Sequence, residues 1–284
     1  MVIEHNEGMK VTAVCRKLEI TRQAIYKATK VRQLREYNEQ RVLEFVRAER
    51  QMQPMLGGRK LCKIYKPKLA AEGIHIGRDK FFEILRKNDL LVEHQPRIAK
   101  TTNSRHSLPV FFNLAKEMEL TAPNQMWMAD ITYLRVGDGF AYASLLTDAY
   151  SRKIVGYYLG DSLETIGCVK ALEMALADLP DELKPLHHSD RGCQYCSHLY
   201  VNCLREAGLK VSMTEEMHCY ENALAERVNG ILKMEYGLYS TFSDLPQAKM
   251  ALDQAVWLYN NRRPHMGLNY AIPAEVHVKV AKIA

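Results

Sequence analysis

The middle of the chain is laid out in short apolar runs separated by turn-forming residues, and those runs predict strands. The first starts at Asp130, continues through Leu134 to Val136 and stops at Gly137-Asp138-Gly139, a turn signal that predicts a hairpin with the run 140–147. Asp148-Ala149-Tyr150-Ser151-Arg152 then leads to a third strand at 154–159. A helix follows over 163–179, a short strand over 184–188 runs up to Asp190 and is closed by Gly192, and a second helix covers 198–207. Gly208 opens a strand at 209–214. Leu224, Val228, Ile231 and Leu232 next form the apolar stripe of a helix that also carries Glu226, and a last helix covers 245–259. Three strands followed by alternating helices and strands predict a layered α/β core with a mixed sheet.

The front of the chain has a different texture. Residues 1–10 are polar and read as a mobile lead-in, while 12–18 and 21–27 read as two short helices, each with a threonine able to cap it. Val14, Leu18, Ile20 and Ile25 supply a shared apolar side, which leaves Arg22, Gln23 and Lys27 available to DNA in a helix-turn-helix arrangement; small helical pairs without a DNA role look much the same. A longer charged helix over 32–50 carries Leu34, Leu43 and Phe45 and is ended by Pro54 and Gly57-Gly58. A second helical unit follows, with Leu61, Ile64 and Tyr65 in one segment and Phe81, Phe82, Ile84 and Leu85 in the next. Arg78 and Lys80 place cations beside those aromatic rings, which read as core anchors rather than base-stacking platforms. Residues 97–105 lack periodic apolar positions and form a basic linker. The resulting division is 1–54, 55–107 and 108–284.

Charge sharpens that division. Lys and Arg outnumber Asp and Glu by 24 to 14 in residues 1–120 but are outnumbered 15 to 19 in residues 121–284, so the formal +6 conceals a basic front and an acidic rear. A basic front suits nucleic acid. At 284 residues there is room for a core of about 150 residues with small accessory units. No N-terminal apolar run precedes a cleavage-like site, which predicts a cytoplasmic protein without a membrane partner. Of the seven cysteines, Cys193 and Cys196 have a redox or zinc-like spacing, with His187, His188, His198 and Cys203 close by. The second tetrahedral pair is not cleanly spaced, so free and mostly buried thiols are the favoured expectation.

The chemistry rests on three acids. Asp130 and Asp190 read as strand-end aspartates and Glu226 as a helical glutamate, so all three can point into one site while their elements stay in the core. Converging carboxylates repel unless hard cations bind, and oxygen-only ligation suits Mg²⁺ or Mn²⁺ rather than zinc. Two such ions, about 3.5–4 Å apart, can activate an attacking oxygen and stabilise the leaving oxygen of a phosphodiester. Nuclease and strand-transfer chemistry both use such a site.

Trp127-x-x-Asp130-Ile131-Thr132-Tyr133, His188-Ser189-Asp190-Arg191-Gly192-x-Gln194-Tyr195, and Glu226 followed after six residues by Lys233-x-Glu235 together resemble the IS3 family of bacterial insertion-sequence transposases, within the retroviral-integrase-like superfamily. The 35 residues between Asp190 and Glu226 match that family's Asp-Asp-Glu spacing, as do Tyr259-Asn260-x-Arg262-x-Pro264-His265 and Pro273-Ala274-Glu275. The resemblance implies a ribonuclease-H-like mixed-sheet catalytic core preceded by small helical DNA-binding units. It implies Asp130, Asp190 and Glu226 as catalytic residues and metal ligands for a pair of Mg²⁺ ions, with Mn²⁺ a plausible substitute. Insertion-sequence end DNA and target DNA are the implied partners, within a homo-oligomeric DNA complex that works through a circular intermediate. Related active transposases are often longer fusions, so an upstream-frame product or fusion partner is also implied.

Further roles attach to single residues. Lys233, two helical turns after Glu226 and nearly on its face, suits a terminal phosphate, and Asn222 suits either a DNA contact or a role in orienting the site. His188 reads as a hydrogen-bonding support for Asp190, Arg191 as a local partner or a phosphate contact, and Arg262 and Arg263 as phosphate contacts. Asp148 either supports the site electrostatically or makes an Asx turn before Ser151. Glu221, Met217 and Cys193 depart from the usual family pattern, which bears on local loop geometry more than on reaction class. A nuclease without joining activity and a catalytically silent DNA-binding product are the competing readings.

Overall fold

The computed structural model describes residues 11–92, 108–116, 118–215 and 222–281. The expectations for residues 1–10, the 97–105 linker, Met217 and Glu221 therefore lie outside the described residues. The described chain forms two compact units, one within 11–52 and 57–91 and the other within 53–56 and 108–281.

The helical unit contains α1 (Val11–Leu18), α2 (Arg22–Met52), α3 (Gly58–Ala71) and α4 (Arg78–Lys87). Glu19 turns the chain with a left-handed φ of 53°, and Thr21 caps α2 by accepting from the Ala24 amide at 3.1 Å. The expected helix at 21–27 does not end there. It runs unbroken into the charged helix, because no Gly or Pro interrupts Arg22–Met52, and the merged α2 is about 46 Å long. Only its second half is packed: Val42, Leu43 and Val46 are buried with Leu61, Tyr65 and Leu69 of α3 and Phe81, Ile84 and Leu85 of α4. Phe45 stacks on Tyr65 at 5.0 Å. Segments 11–52 and 57–91, which flank the expected 54/55 boundary, thus share one helical unit, and Phe81 is the core anchor its sequence context predicts.

The second unit is built on a mixed sheet of β1 (Met126–Val136), β2 (Gly139–Asp148), β3 (Ile154–Gly160), β4 (Leu186–Ser189), β5 (Val211–Met213) and β6 (Thr241–Phe242). The order is β3-β2-β1-β4-β5, with β1, β2 and β3 antiparallel, β4 and β5 parallel to β1, and β6 paired to the far end of β1. A two-residue turn, with Gly137 at φ 53°, closes the β1–β2 hairpin. The helices are α5 (Thr165–Ala177), α6 (Cys193–Cys196), α7 (His198–Glu206), α8 (Ala223–Glu235), α9 (Leu245–Asn261) and α10 (Pro273–Ala281). Strand alternation divides their packing. Trp127 and Ala129 face a cluster with Cys168, Leu172, Tyr200 and Leu204, whereas Leu134 faces Val228, Ile231, Leu252 and Tyr259. Helices therefore cover both sheet faces, the layered arrangement of a ribonuclease-H-like core.

Candidate active site

The pairing of β1 with β4 sets the site. Its last register pair is Ala129 with Ser189, so Asp130 and Asp190 are the next residues along two neighbouring parallel chains, about 4.8 Å apart at the backbone. Alternation sends Asp130 to the same face as Met128 and Leu134, the face that α8 covers. Asp190 leaves the strand at once: its Oδ1 accepts from the Gly192 amide at 2.9 Å, which turns the chain toward α6. Helix α8 is held on β1 by two amides. Asn222 Nδ2 donates to the Ala129 carbonyl at 3.3 Å, and Asn229 Nδ2 donates to Asp130 Oδ2 at 2.7 Å. Glu226 lies one turn from each, so it shares their side of the helix.

Electrostatics bind the three acids together. Burial pushes the Asp130 carboxyl up to about 8, the charge of Asp190 adds to that, and Glu226 contributes in the same direction. The Ile131 amide and Asn229 oppose the rise without cancelling it. Lys233 also belongs to this group: burial lowers its pKa, and attraction to Asp130 works against that. The acids are in electrostatic range, but among the described residues no three His, Cys, Asp or Glu side chains are drawn together into a ready-made metal cage. Oxygen donors that repel one another fit a hard divalent cation in chemical type.

The remaining expected residues divide into several groups. His188 is buried, and its Nδ1 is 2.9 Å from the hydroxyl of Ser212 on β5. Arg191 resolves toward local pairing, donating from Nε to the Thr214 carbonyl at 2.7 Å. Arg263 is corrected outright as a phosphate contact: it is buried, and Nε and Nη2 donate to Glu235 at 2.7 and 2.9 Å. Its neighbour Arg262 is only partly buried. Asn222 is 3% exposed, which removes it from a DNA-facing surface and leaves the orienting role. Asp148 is buried and accepts from the Ser151 amide and hydroxyl at 2.7 and 2.6 Å, so the Asx turn accounts for it. Cys193 is exposed while Cys196 lies in the core.

Within the helical unit, Arg22, Gln23 and Lys27 are exposed on the first turns of α2. Arg78 and Lys80 are exposed too, but each is engaged by a neighbouring acid, Asp79 at 2.9 Å and Glu83 at 2.7 Å. Asn229 is the site residue the sequence reading missed. Its spacing of three from Glu226 on a helix was the available signal.

A mixed sheet with one aspartate on β1 and another just past the end of the neighbouring parallel β4, beneath a helix bearing a glutamate, is the layout expected of an integrase-type core. An integrase core domain family matches residues 121–219, and a second integrase core domain family matches 207–273. The chain is 35% identical over 218 residues to the IS600 uncharacterized 31 kDa protein of Shigella sonnei, covering 76% of this chain and 80% of that protein. It is 33% identical over 208 residues to the IS629 transposase of Shigella sonnei, with 73% and 70% covered. Against the InsF transposase for IS3A of Escherichia coli K12 it is 29% identical over 241 residues, with 82% and 81% covered. The chain belongs to the IS3 family of insertion-sequence transposases. Among solved structures, the magnesium complex of the HTLV-2 integrase catalytic core aligns at 21% identity and a TM-score of 0.44, covering 55% of this chain and 97% of that one.

Proposed function

We propose that this chain is a DNA transposase that cuts at insertion-sequence ends and joins the freed ends to DNA, with Asp130, Asp190 and Glu226 holding its divalent cations. The reading is carried by the register of Asp130 beside Asp190 under the Glu226 face of α8, together with the upward pull that burial and the other two acids exert on Asp130. Mg²⁺, or Mn²⁺ in its place, fits this oxygen-only set. When bound, a pair of such ions supplies Lewis-acid stabilisation of the entering and leaving oxygens.

The chain's own residues orient and hold the DNA. Lys233, on the Asp130 side of α8, holds a terminal phosphate. Arg22, Gln23 and Lys27, with Arg78 and Lys80, carry contacts from the helical unit to DNA, where phosphate neutralisation dominates affinity. In the first step water displaces the 3′ oxygen of one phosphodiester and leaves a 3′ hydroxyl. In the second that hydroxyl attacks another phosphodiester, so one P–O bond forms as one breaks and no ATP is needed. A homo-oligomer on end and target DNA, with an upstream-frame product as a further partner, belongs to the same proposal.

The test incubates purified protein with labelled insertion-sequence ends and Mg²⁺ and resolves cleaved from joined DNA. Both products are expected. Cleavage without joining replaces the proposal with a nuclease, and DNA binding without either product replaces it with a silent regulatory protein.

A further inference from the structure

Helix α8 must sit on β1 in a single register for Glu226 to work with Asp130, and among the described residues two asparagine side chains hydrogen-bond it there. Asn222, at the start of α8, is 3% exposed and donates to the carbonyl of Ala129; Asn229 is 7% exposed and donates to the carboxylate of Asp130. Seven residues span about two helical turns, so both amides leave α8 on one side with Glu226 between them. Their targets are consecutive residues of β1.

The chemistry of the amide explains why asparagine stands here. A lysine or arginine bonded to Asp130 would neutralise it and compete with a cation, whereas a carboxylate would add repulsion. An amide N–H fixes one carboxylate oxygen and leaves the charge in place. Both asparagines use only this half of the group: the Oδ1 atoms of Asn222 and Asn229 are buried without a hydrogen-bond partner among the described residues. A buried orphan acceptor is unfavourable, so a pair serving stability alone would be better replaced by apolar side chains.

We propose that Asn222 and Asn229 are positioning residues, a two-point clamp that sets Glu226 against Asp130 and holds Asp130 by Oδ2 so that Oδ1 is the oxygen presented to a cation. This rests on the proposed carboxylate site. Loss of the clamp loosens the metal site while leaving the fold in place.

The test measures Mn²⁺ binding to DNA-free protein by electron paramagnetic resonance, with thermal unfolding alongside, for Asn229→Leu, Asn222→Ala, Asn229→Gln and Asp190→Asn. Asn229→Leu keeps most of the volume and removes both donor and orphan acceptor. It is expected to weaken Mn²⁺ binding by about 10-fold or more, the usual scale for groups that orient metal ligands, with unchanged or higher thermal stability. Asn222→Ala should weaken binding less, and Asn229→Gln should restore part of it. If Asn229→Leu fails to fold, Asn222→Ala decides the question, because it leaves the Asp130 contact intact. Wild-type affinity in the folded asparagine variants, with binding lost in Asp190→Asn, overturns the clamp and leaves the site standing. Wild-type affinity in all of them overturns both.

Discussion

Replacing Arg263 with methionine tests the packing that supports the catalytic helix. The Arg263 side chain is 2% exposed, its guanidinium grips Glu235 at the end of α8 through two bonds of 2.7 and 2.9 Å, and it lies 5.7 Å from the Tyr259 ring. Burial works against its charge, but the Glu235 bonds more than offset that and its pKa stands above the ordinary value. Methionine keeps much of the apolar stem and removes two charge-assisted bonds from a carboxylate whose side chain is only 14% exposed. Breaking one side of a buried pair costs about 3–5 kcal/mol, and the residual exposure of Glu235 places the loss near 3 kcal/mol. For a unit of this size that lowers the melting temperature by about 6–12 °C. Both tryptophans, Trp127 and Trp257, lie in the sheet-containing unit, so their fluorescence reports its unfolding directly. Adding Glu235→Leu should recover most of the loss, since an apolar pair of similar volume is often neutral. A loss below about 1 kcal/mol, or no recovery in the double variant, would refute the reasoning.

The other predictions concern the site and the sheet. Asp130 has its pKa raised to about 8 in the fold, so its contribution to stability is full below about pH 4 and is lost as pH rises through about 8. The shift sets a ceiling of about 6 kcal/mol, which partial exposure and relaxation reduce to about 2 kcal/mol; metal-free wild type should lose that much between pH 5 and 9 in urea titrations while Asp130→Asn does not, and parallel pH dependence in the two proteins would contradict the burial argument. Gly156→Ala would place a Cβ 2.1 Å from the Ala171 carbonyl and 2.9 Å from the Ala175 Cβ, and should cost about 2–3 kcal/mol in urea denaturation; a neutral result would mean that α5 can lift from β3 freely. Lys233→Ala should weaken binding of a processed DNA end and slow its joining by about 10-fold, roughly 1.4 kcal/mol, while Mn²⁺ affinity is kept. Unchanged end affinity and joining would remove Lys233 from the residues that hold DNA.

What could be read from the sequence was local. The β1–β2 hairpin was legible because a Gly-Asp-Gly turn separates two runs with strand patterning; Gly139–Asp148 differs from the expected run by one residue at each end, whereas Met126–Val136 begins four residues before the expected start at Asp130, which therefore lies inside the strand. Asp130, Asp190 and Glu226 stood out through their motifs and spacing, and β1–β4 register and the α8 contacts explain why residues so far apart in sequence belong together. What was hidden depends on distant partners. Arg263 carries no local mark separating it from Arg262, and only the fold of α9 back toward the end of α8 turns one of them inward to Glu235. β6 has two residues and no periodicity to detect, and α10 was not anticipated. The merging of two expected helices into α2 was a boundary error of another kind, since Ala28-Thr29-Lys30-Val31 between them holds neither the glycine nor the proline that would end a helix.

In the proposed function, the acids on β1, after β4 and on α8 form one cation site. Anomalous diffraction from crystals of the protein grown with Mn²⁺ tests it most directly. Mn²⁺ density is expected between Asp130 and Asp190 with Glu226 turned toward it, at oxygen distances of about 2.0–2.2 Å, and is expected to be lost in Asp190→Asn crystals grown the same way. Mn²⁺ bound only elsewhere, or density unchanged by Asp190→Asn, would contradict it.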